Sequence, residues 1–280
     1  MNNIIFKKPK IKDLLKNGFM VSDLHTHSNC SDGLNSVFSM AKKAKKLGTA
    51  LCIADHNSIK CVLELEKIKN IMTIPAIELN TLDGPHLLLY FYNFKELDEY
   101  YSKFVKDVVR KNPNSRIDKG LMELLENSKD YNCITSLPHP FGPLWLNVAK
   151  AIEKNKFDES IFRKVDCIEA INGEQLRVVN SRAAELADRY DRGITGGSDG
   201  HSVFEIGGVV TYAEASTREE FLNALKNRRS SVVGKETNIP KRFVGHTNVI
   251  RKHAPYFGRM LLGRARTKIK FSKDELLKYP

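Results

Sequence analysis

No apolar run in this 280-residue chain approaches the roughly 18 residues needed to cross a membrane as a helix, so no membrane partner is expected. The start, Met1 to Pro9, lacks an apolar core of secretory-signal length and a small-residue cleavage site. Cysteine is sparse. The five residues Cys30, Cys52, Cys61, Cys133 and Cys167 are odd in number and include no C-x-x-C pair. Cys52 and Cys133 sit inside apolar runs and read as small buried hydrophobes. A reducing cytoplasm is the expected location. Internal repeats and Gly/Ser-rich linkers are missing too, which excludes a solenoid or a beads-on-a-string arrangement.

What is present is ordinary in amount and uneven in placement. Hydrophobic residues make up 41% and charged residues 28%, as in a globular domain with a sizeable core. The formal net charge is +12, yet residues 241–280 alone hold 11 Lys/Arg against Asp274 and Glu275, a net of +9. The remaining +3 belongs to residues 1–240. A near-neutral body, 1–240, carrying a basic C-terminal extension, 241–280, is the expected domain organisation.

Short apolar runs alternate with amphipathic stretches, the pattern of an α/β fold with a largely parallel sheet. Strands are expected at Phe19–Leu24, Ala50–Ala54, Met72–Leu79, Leu87–Tyr92, Cys133–Leu137, Val165–Ile171 and Gly193–Gly197. Helices are expected at Ser36–Leu47, stopped by Gly48, after Ser58, and at Lys95–Arg110, Lys119–Ser128, Leu176–Tyr190 and Thr217–Asn227. The last opens with the Thr-x-x-Glu of a capping box. Seven strands in so regular a rhythm favour a (β/α) barrel over a small open sheet.

The histidines then fall in a telling place. His25, His27, His56, His139 and His201 lie just beyond expected strands, and His86 lies just before one. Asp23, Asp32, Asp55, Glu78 and Asp199 accompany them. Barrel enzymes carry their chemistry at the C-terminal ends of strands, where loops converge. In Asp23-Leu-His25-Thr-His27, alternate residues of an extended chain share a face, so both imidazoles can meet one ion. Glu78 interrupts an apolar strand, which is costly unless the carboxylate is paired or metal-bound. Asp199-Gly-His201 repeats the alternation after two glycines. Each segment has a plainer reading: Asp32-Gly33 as a turn, Asp55-His56 as a polar helix entry, His86 as a satisfied core histidine, His139 as a rigid loop residue. Their joint arrival from separate segments is harder to explain that way. Nine N/O ligands exceed one tetrahedral site, so about two to three ions are implied. Mixed imidazole and carboxylate donors suit zinc, manganese or iron, with magnesium an option.

This set resembles the PHP (polymerase and histidinol phosphatase) family of phosphoesterases: His25-x-His27, Ser31-Asp32-Gly33, Asp55-His56-Asn57, Glu78, His86, Pro138-His139-Pro140 and Gly197-Ser198-Asp199-Gly200-His201. The resemblance runs from about residue 18 to 234. It implies a distorted (β/α)7 barrel. It also implies that His25, His27, Glu78 and Asp199 hold one ion, and that Glu78 bridges to a second held with His86 and His139. Asp32, His56 and His201 would hold a third. Asp32 stands where some members have histidine, which makes the third site more oxygen-rich. The implied reaction is phosphate-ester hydrolysis by a metal-bridging hydroxide.

Beyond the ligands, Asp199 and Asp55 are candidates for orienting the attacking water or a ligand histidine. Arg177, at a helix start, is the first choice for a phosphate contact, with Arg182 and Arg116 behind it. Phe141 and Trp145, near His139, suit base stacking or lid packing. The tail interleaves Arg251, Lys252, Arg259, Arg264 and Arg266 with Phe243, Tyr256 and Phe257, which suits either nucleic-acid contact or an arm in a homo-oligomer. A nucleotide or an oligonucleotide end is therefore the expected substrate, with histidinol phosphate as the alternative. A C–N-cleaving amidohydrolase also starts with His-x-His on a barrel, but no bridging lysine follows a mid-chain strand. A non-catalytic metal-bearing domain sits badly with an intact ligand set.

Overall fold

The computed structural model describes residues 3–109, 112, 114–142 and 147–236. Trp145 and the basic extension, 241–280, lie outside the described residues.

All seven expected strands form, with three more. In chain order they are β1 (Ile4–Ile5), β2 (Phe19–Asp23), β3 (Ala50–Ile53), β4 (Thr73–Asn80), β5 (His86–Phe91), β6 (Cys133–Leu137), β7 (Cys167–Asn172), β8 (Gly193–Gly197), β9 (Val209–Glu214) and β10 (Ser231–Gly234). They make one curled sheet in the order β1-β10-β9-β2-β3-β4-β5-β6-β7-β8. The expectation of a largely parallel sheet needs correction. β2-β3-β4 and β6-β7-β8 are parallel, but β5 runs antiparallel to both β4 and β6, and β9 antiparallel to β2 and β10. The cause is local: β4 and β5 are joined by a tight turn in which Gly84 N–H donates to Thr81 O and Gly84 takes φ +114°.

Period-two alternation sorts the strands into an outer and an inner face. On β3, Leu51 and Ile53 join the large cluster under the helices, while Ala50 and Cys52 join the interior cluster. On β4, Ile77 and Leu79 face the helices, and Ile74, Ala76 and therefore Glu78 face inward. β5 does the same with Leu87, Leu89 and Phe91 against Leu88 and Tyr90. The interior is plugged at one end by Phe221, Leu222 and Leu225. These belong to α8 (Arg218–Lys226), which opens with the expected Thr217–Glu220 capping box. Truncating Phe221 there to alanine would cost about 3–5 kcal/mol.

The other end is left to polar residues. There the sheet curls until the end of β8 meets β2. Leu24 N–H approaches Gly196 O at 3.5 Å, His27 N–H donates to Gly200 O at 2.9 Å, and Thr26 and Gly200 form a parallel bridge. A Cβ on Gly197 would collide with the backbone of His25, so closure needs glycine at this position.

Unlike α8, which closes one end, the helices on the outside are α1 (Ile11–Lys16), α2 (Val37–Leu47), α3 (Lys60–Glu64), α4 (Phe94–Phe104), α5 (Leu121–Ser128), α6 (Val148–Glu153) and α7 (Arg177–Arg189). α2 starts at Ser36, whose side chain accepts from Ser39 N–H, and ends at Gly48 with φ +78°. α3 is short because its chain tightens into a 3-10 turn over Leu65–Lys67. α4 stops at Phe104, short of the expected Arg110, and gives way to a second 3-10 turn, Lys106–Val108.

Cys30 and Cys61, which no spacing pairs, form a disulfide with Cα atoms 5.8 Å apart. It staples the loop after β2 to α3. Cys52, Cys133 and Cys167 are free and buried.

Candidate metal centre

The nine expected ligands come together at the polar end of the barrel. Glu78 lies at the middle. Its Oε2 is 3.0 Å from His56 Nδ1, 3.3 Å from His25 Nε2 and 3.5 Å from His27 Nε2. Its Oε1 is 2.9 Å from His86 Nδ1 and 3.3 Å from His139 Nε2. Asp199 Oδ1 sits 3.1 Å from His27 Nε2 and 3.4 Å from His25 Nε2. Asp32 Oδ2 is 3.3 Å from His201 Nε2 and 3.4 Å from His56 Nε2, while its Oδ1 is 3.7 Å from His27 Nδ1. The cluster opens to solvent on one side. His25 is fully buried and Glu78 only 1% exposed, whereas the side chains of Asp199 and His201 are 15% and 17% exposed.

Local structure explains the convergence. His25 and His27 flank Thr26, whose hydroxyl turns the other way and donates to Cys52 O at 2.6 Å. Glu78 and His86 are inward positions on β4 and β5, with Glu78 paired to Leu88 and Asn80 to His86. His139 and Asp199 adopt φ of +32° and +52°. That conformation costs such residues of the order of 1–3 kcal/mol and persists only where the surroundings fix it. Glu169 Oε2 accepts from His139 N–H at 2.8 Å, and Asn172 Nδ2 donates to Asp199 Oδ2 at 3.1 Å.

Charge and burial compete throughout. Burial pushes the Glu78 carboxyl upward, but His56, His25 and His86 outweigh it and hold the group well below the usual range. Asp32 is likewise lowered, burial being overcome by His56 and His201, and Asp199 is lowered through His25 and His27. Burial opposes protonation of His25 and His56, yet the facing carboxylates raise both well above the ordinary imidazole range. His201 rises to about 9 against burial, chiefly through Asp32. His86 falls to about 4, where burial prevails over Glu78.

The donor set fits divalent cations. His25 Nε2, His27 Nδ1, His56 Nδ1 and Glu78 Oε2 are buried without a hydrogen-bond partner, and leaving such atoms unsatisfied is costly. Three-residue subsets bring one donor atom each within 4.8 Å of one another: His25, Glu78 and His139; His25, His27 and Asp199; His27, Asp32 and His56; and His56, Glu78 and His86. Several overlapping triads sharing Glu78, His25, His27 and His56 suit more than one ion.

The expected non-ligand residues fare differently. Asp55 is buried and accepts from Ser28 N–H at 2.7 Å and from the hydroxyls of Ser28 and Ser31. It therefore fixes the Ser28–Asp32 loop. Arg177, the expected phosphate contact, makes its contacts here with the chain itself. Its guanidinium makes a two-pronged pair with Glu236, donates to Phe6 O at 3.4 Å and stacks over the Phe6 ring at 4.5 Å, so the fork that would grip phosphate is already engaged. Arg182 stacks on Phe141 at 4.2 Å, and Arg116 donates to Leu82 O at 3.5 Å.

Glu169, Asn172 and Asn114 were not anticipated, and Asp23 stood among the accompanying carboxylates without a stated role. Glu169 Oε1 accepts from His25 Nδ1 at 2.9 Å, and its other oxygen accepts from Asn172 Nδ2 at 2.9 Å. Asn114 Nδ2 donates to Asp32 Oδ2 at 2.9 Å. Asp23, which burial pushes up to about 7, accepts from Ser198 and Gly207 N–H at 2.8 and 2.9 Å and so ties β2 to the Asp199–His201 loop. For Glu169 the signal was available: it is an acid inside an apolar strand, like Glu78. Asn114 carried none.

The chain is similar to known proteins in sequence and in fold. The family model described as the PHP domain matches residues 23–173, and the model described as PHP-associated matches 179–230. An uncharacterized protein of Methanocaldococcus jannaschii is 27% identical over 234 residues, covering 79% of this chain and 86% of its own. Among solved structures, Endonuclease Q in complex with a 27-mer duplex bearing an abasic lesion at the active site superposes with a TM-score of 0.62 at 19% identity. That match covers 78% of this chain and 60% of the other. A two-domain Bacteroides vulgatus protein with a PHP-like metal-dependent phosphoesterase superposes at 0.52 and 16% identity, covering 82% and 68%. At these identities the structural likeness is one of fold.

Proposed function

The chain belongs to the PHP family of metal-dependent phosphoesterases, and on that premise we propose that it hydrolyses a phosphate ester of a nucleotide or at an oligonucleotide end. The observation that carries the reading is Glu78, one carboxylate whose two oxygens face five imidazoles. Divalent ions held there would supply Lewis-acid charge and a water of lowered pKa. The chain's own residues supply the rest. Glu169 sets the tautomer of His25, because a carboxylate accepts and so Nδ1–H must donate, leaving Nε2 as the donor atom toward the centre. The backbone carbonyl of Asp199 does the same for His201, taking its Nδ1–H at 2.9 Å. Asp55 and the Cys30–Cys61 disulfide hold the loop that carries Asp32. Asp199 and His201 line the exposed rim, where substrate and water enter, and Asp199 is the residue we assign to orienting the attacking water.

Support for a nucleic-acid substrate comes from the net +9 of residues 241–280 and from the fold shared with Endonuclease Q, which was solved on duplex DNA. We propose that the tail adds phosphate contacts to that substrate. Metal-loaded protein assayed against mononucleotides, nucleoside bisphosphates, 5′-phosphorylated oligomers and histidinol phosphate tests the reading. Turnover concentrated on the nucleotides or oligomers is expected. Preference for histidinol phosphate would keep the chemistry and overturn the substrate, and hydrolysis of none would overturn both.

A further inference from the structure

α2 begins where the Asp32 loop ends and packs on the outside of the barrel. Its buried side, Val37, Met40, Ala41 and Ala44, faces the core. One exposed flank carries Phe38, Lys42 and Lys45, at i, i+4 and i+7. At 100° per residue these three fall within one narrow stripe, and at 1.5 Å per residue Lys42 and Lys45 lie about 6 and 10.5 Å along the axis from Phe38. Phe38 is 78% exposed, an unusual state for a phenylalanine on a helix with a well-formed apolar face. A second phenylalanine, Phe204, is 89% exposed. It lies three residues after His201, on a loop tied to the approach to α2: Leu34 N–H donates to His201 O at 2.8 Å, and Val203 N–H donates to Asn35 Oδ1 at 2.8 Å. α2 contains no acidic residue, and the nearby Glu205 is committed to the backbone N–H groups of His201 and Ser202.

We propose that this stripe is a binding track for single-stranded nucleic acid leading out of the metal centre. In it, Phe204 and Phe38 stack on bases next to the reacting phosphate, and Lys42 and Lys45 follow the backbone. The proposal rests on the phosphoesterase reading above and names its substrate class. Two exposed flat rings on the segments that follow Asp32 and His201, with cations in line along α2, match the two needs of a single strand: a π-face for each base and positive charge for each phosphate. Apolar contact alone would not call for the lysines, and charge alone would not call for the rings. The stripe is complementary to a polyanion with aromatic groups.

The test uses metal-loaded, full-length protein and a labelled phosphorothioate oligothymidylate of about 12 nucleotides, read by fluorescence anisotropy. Phe38→Ala is expected to weaken binding about tenfold, in the range of one lost stacking contact. Lys42→Glu with Lys45→Glu is expected to weaken it further and to flatten the dependence of log affinity on log salt by about one to two. The same charge change on α4, Lys95→Glu with Lys103→Glu, should leave affinity within about twofold, because it tests net charge alone. The positions are at the surface, so melting curves should superpose with wild type. Phe38→Ala binding unchanged, or equal losses from the α4 pair, would overturn the track. So would a fall in molecular mass by light scattering with unaltered affinity, which would assign the patch to a second copy of the chain. Because binding is read without turnover, loss of hydrolysis in the substrate assay would overturn the phosphoesterase reading while leaving this result interpretable.

Discussion

Glu169 Oε1 lies 2.9 Å from His25 Nδ1, both side chains almost wholly buried, while His25 Nε2 faces Glu78 and Asp199 with no hydrogen bond of its own. One carboxylate on β7 thus decides which nitrogen of a histidine beyond β2, across the seam where the barrel closes, is offered to the centre. Partners of this kind commonly contribute about 10- to 100-fold in metal affinity. Glu169→Ala should lower metal affinity by that order, and Glu169→Gln, which keeps an acceptor oxygen, should recover most of it. The check is a competition titration with a metal indicator. Equal affinity in wild type and Glu169→Ala would reject the role.

Glu78 faces His25, His27 and His56 with one oxygen and His86 and His139 with the other. Removing its charge leaves neighbouring cations without compensation. Glu78→Gln should lose at least one ion and nearly all turnover, a larger loss than any single ligand at the rim produces. Near-normal turnover with full metal content would place the bridge elsewhere.

Asp32 gathers His56, His201 and Asn114 at the exposed side of the cluster. Asp32→Ala should therefore release one ion while the others stay. Asn114→Ala should weaken the same ion by a smaller factor, since it removes only a donor that orients the carboxylate. Metal-to-protein ratios after dialysis distinguish this outcome from general collapse of the centre.

In the ion-free centre the carboxylates hold His25 and His56 well above the ordinary range and His201 up to about 9. A histidine must be neutral to bind a metal, so loading expels those protons. Metal uptake at neutral pH should release protons, and apparent affinity should climb with pH through about 9, the point at which His201 is half deprotonated. Calorimetry in buffers of different ionisation enthalpy measures the release. No proton release at pH 7, with metal bound, would contradict it.

Much of this was legible before the fold. Period-two alternation reveals that His25 and His27 share a face, and an acid in an apolar strand marks Glu78. The same rule applied to Cys-Ile-Glu169-Ala-Ile would have marked Glu169. What sequence could not convey depends on contacts between distant segments. Asn114 reaches Asp32 only because its loop folds over β4, Cys30 meets Cys61 only because the loop after β2 comes against α3, and Arg177 finds Glu236 59 residues on. The antiparallel setting of β5 was hidden for a different reason: an apolar run reads alike in either direction.

The central claim is that one buried cluster holds several ions and that these ions make the chain a phosphoesterase. Elemental analysis of the purified protein, paired with hydrolysis of a generic phosphate ester before and after chelation, tests it most directly. About two to three divalent ions per chain are expected, with activity lost on chelation and restored by metal. Undiminished hydrolysis from protein carrying one ion or none would contradict the account.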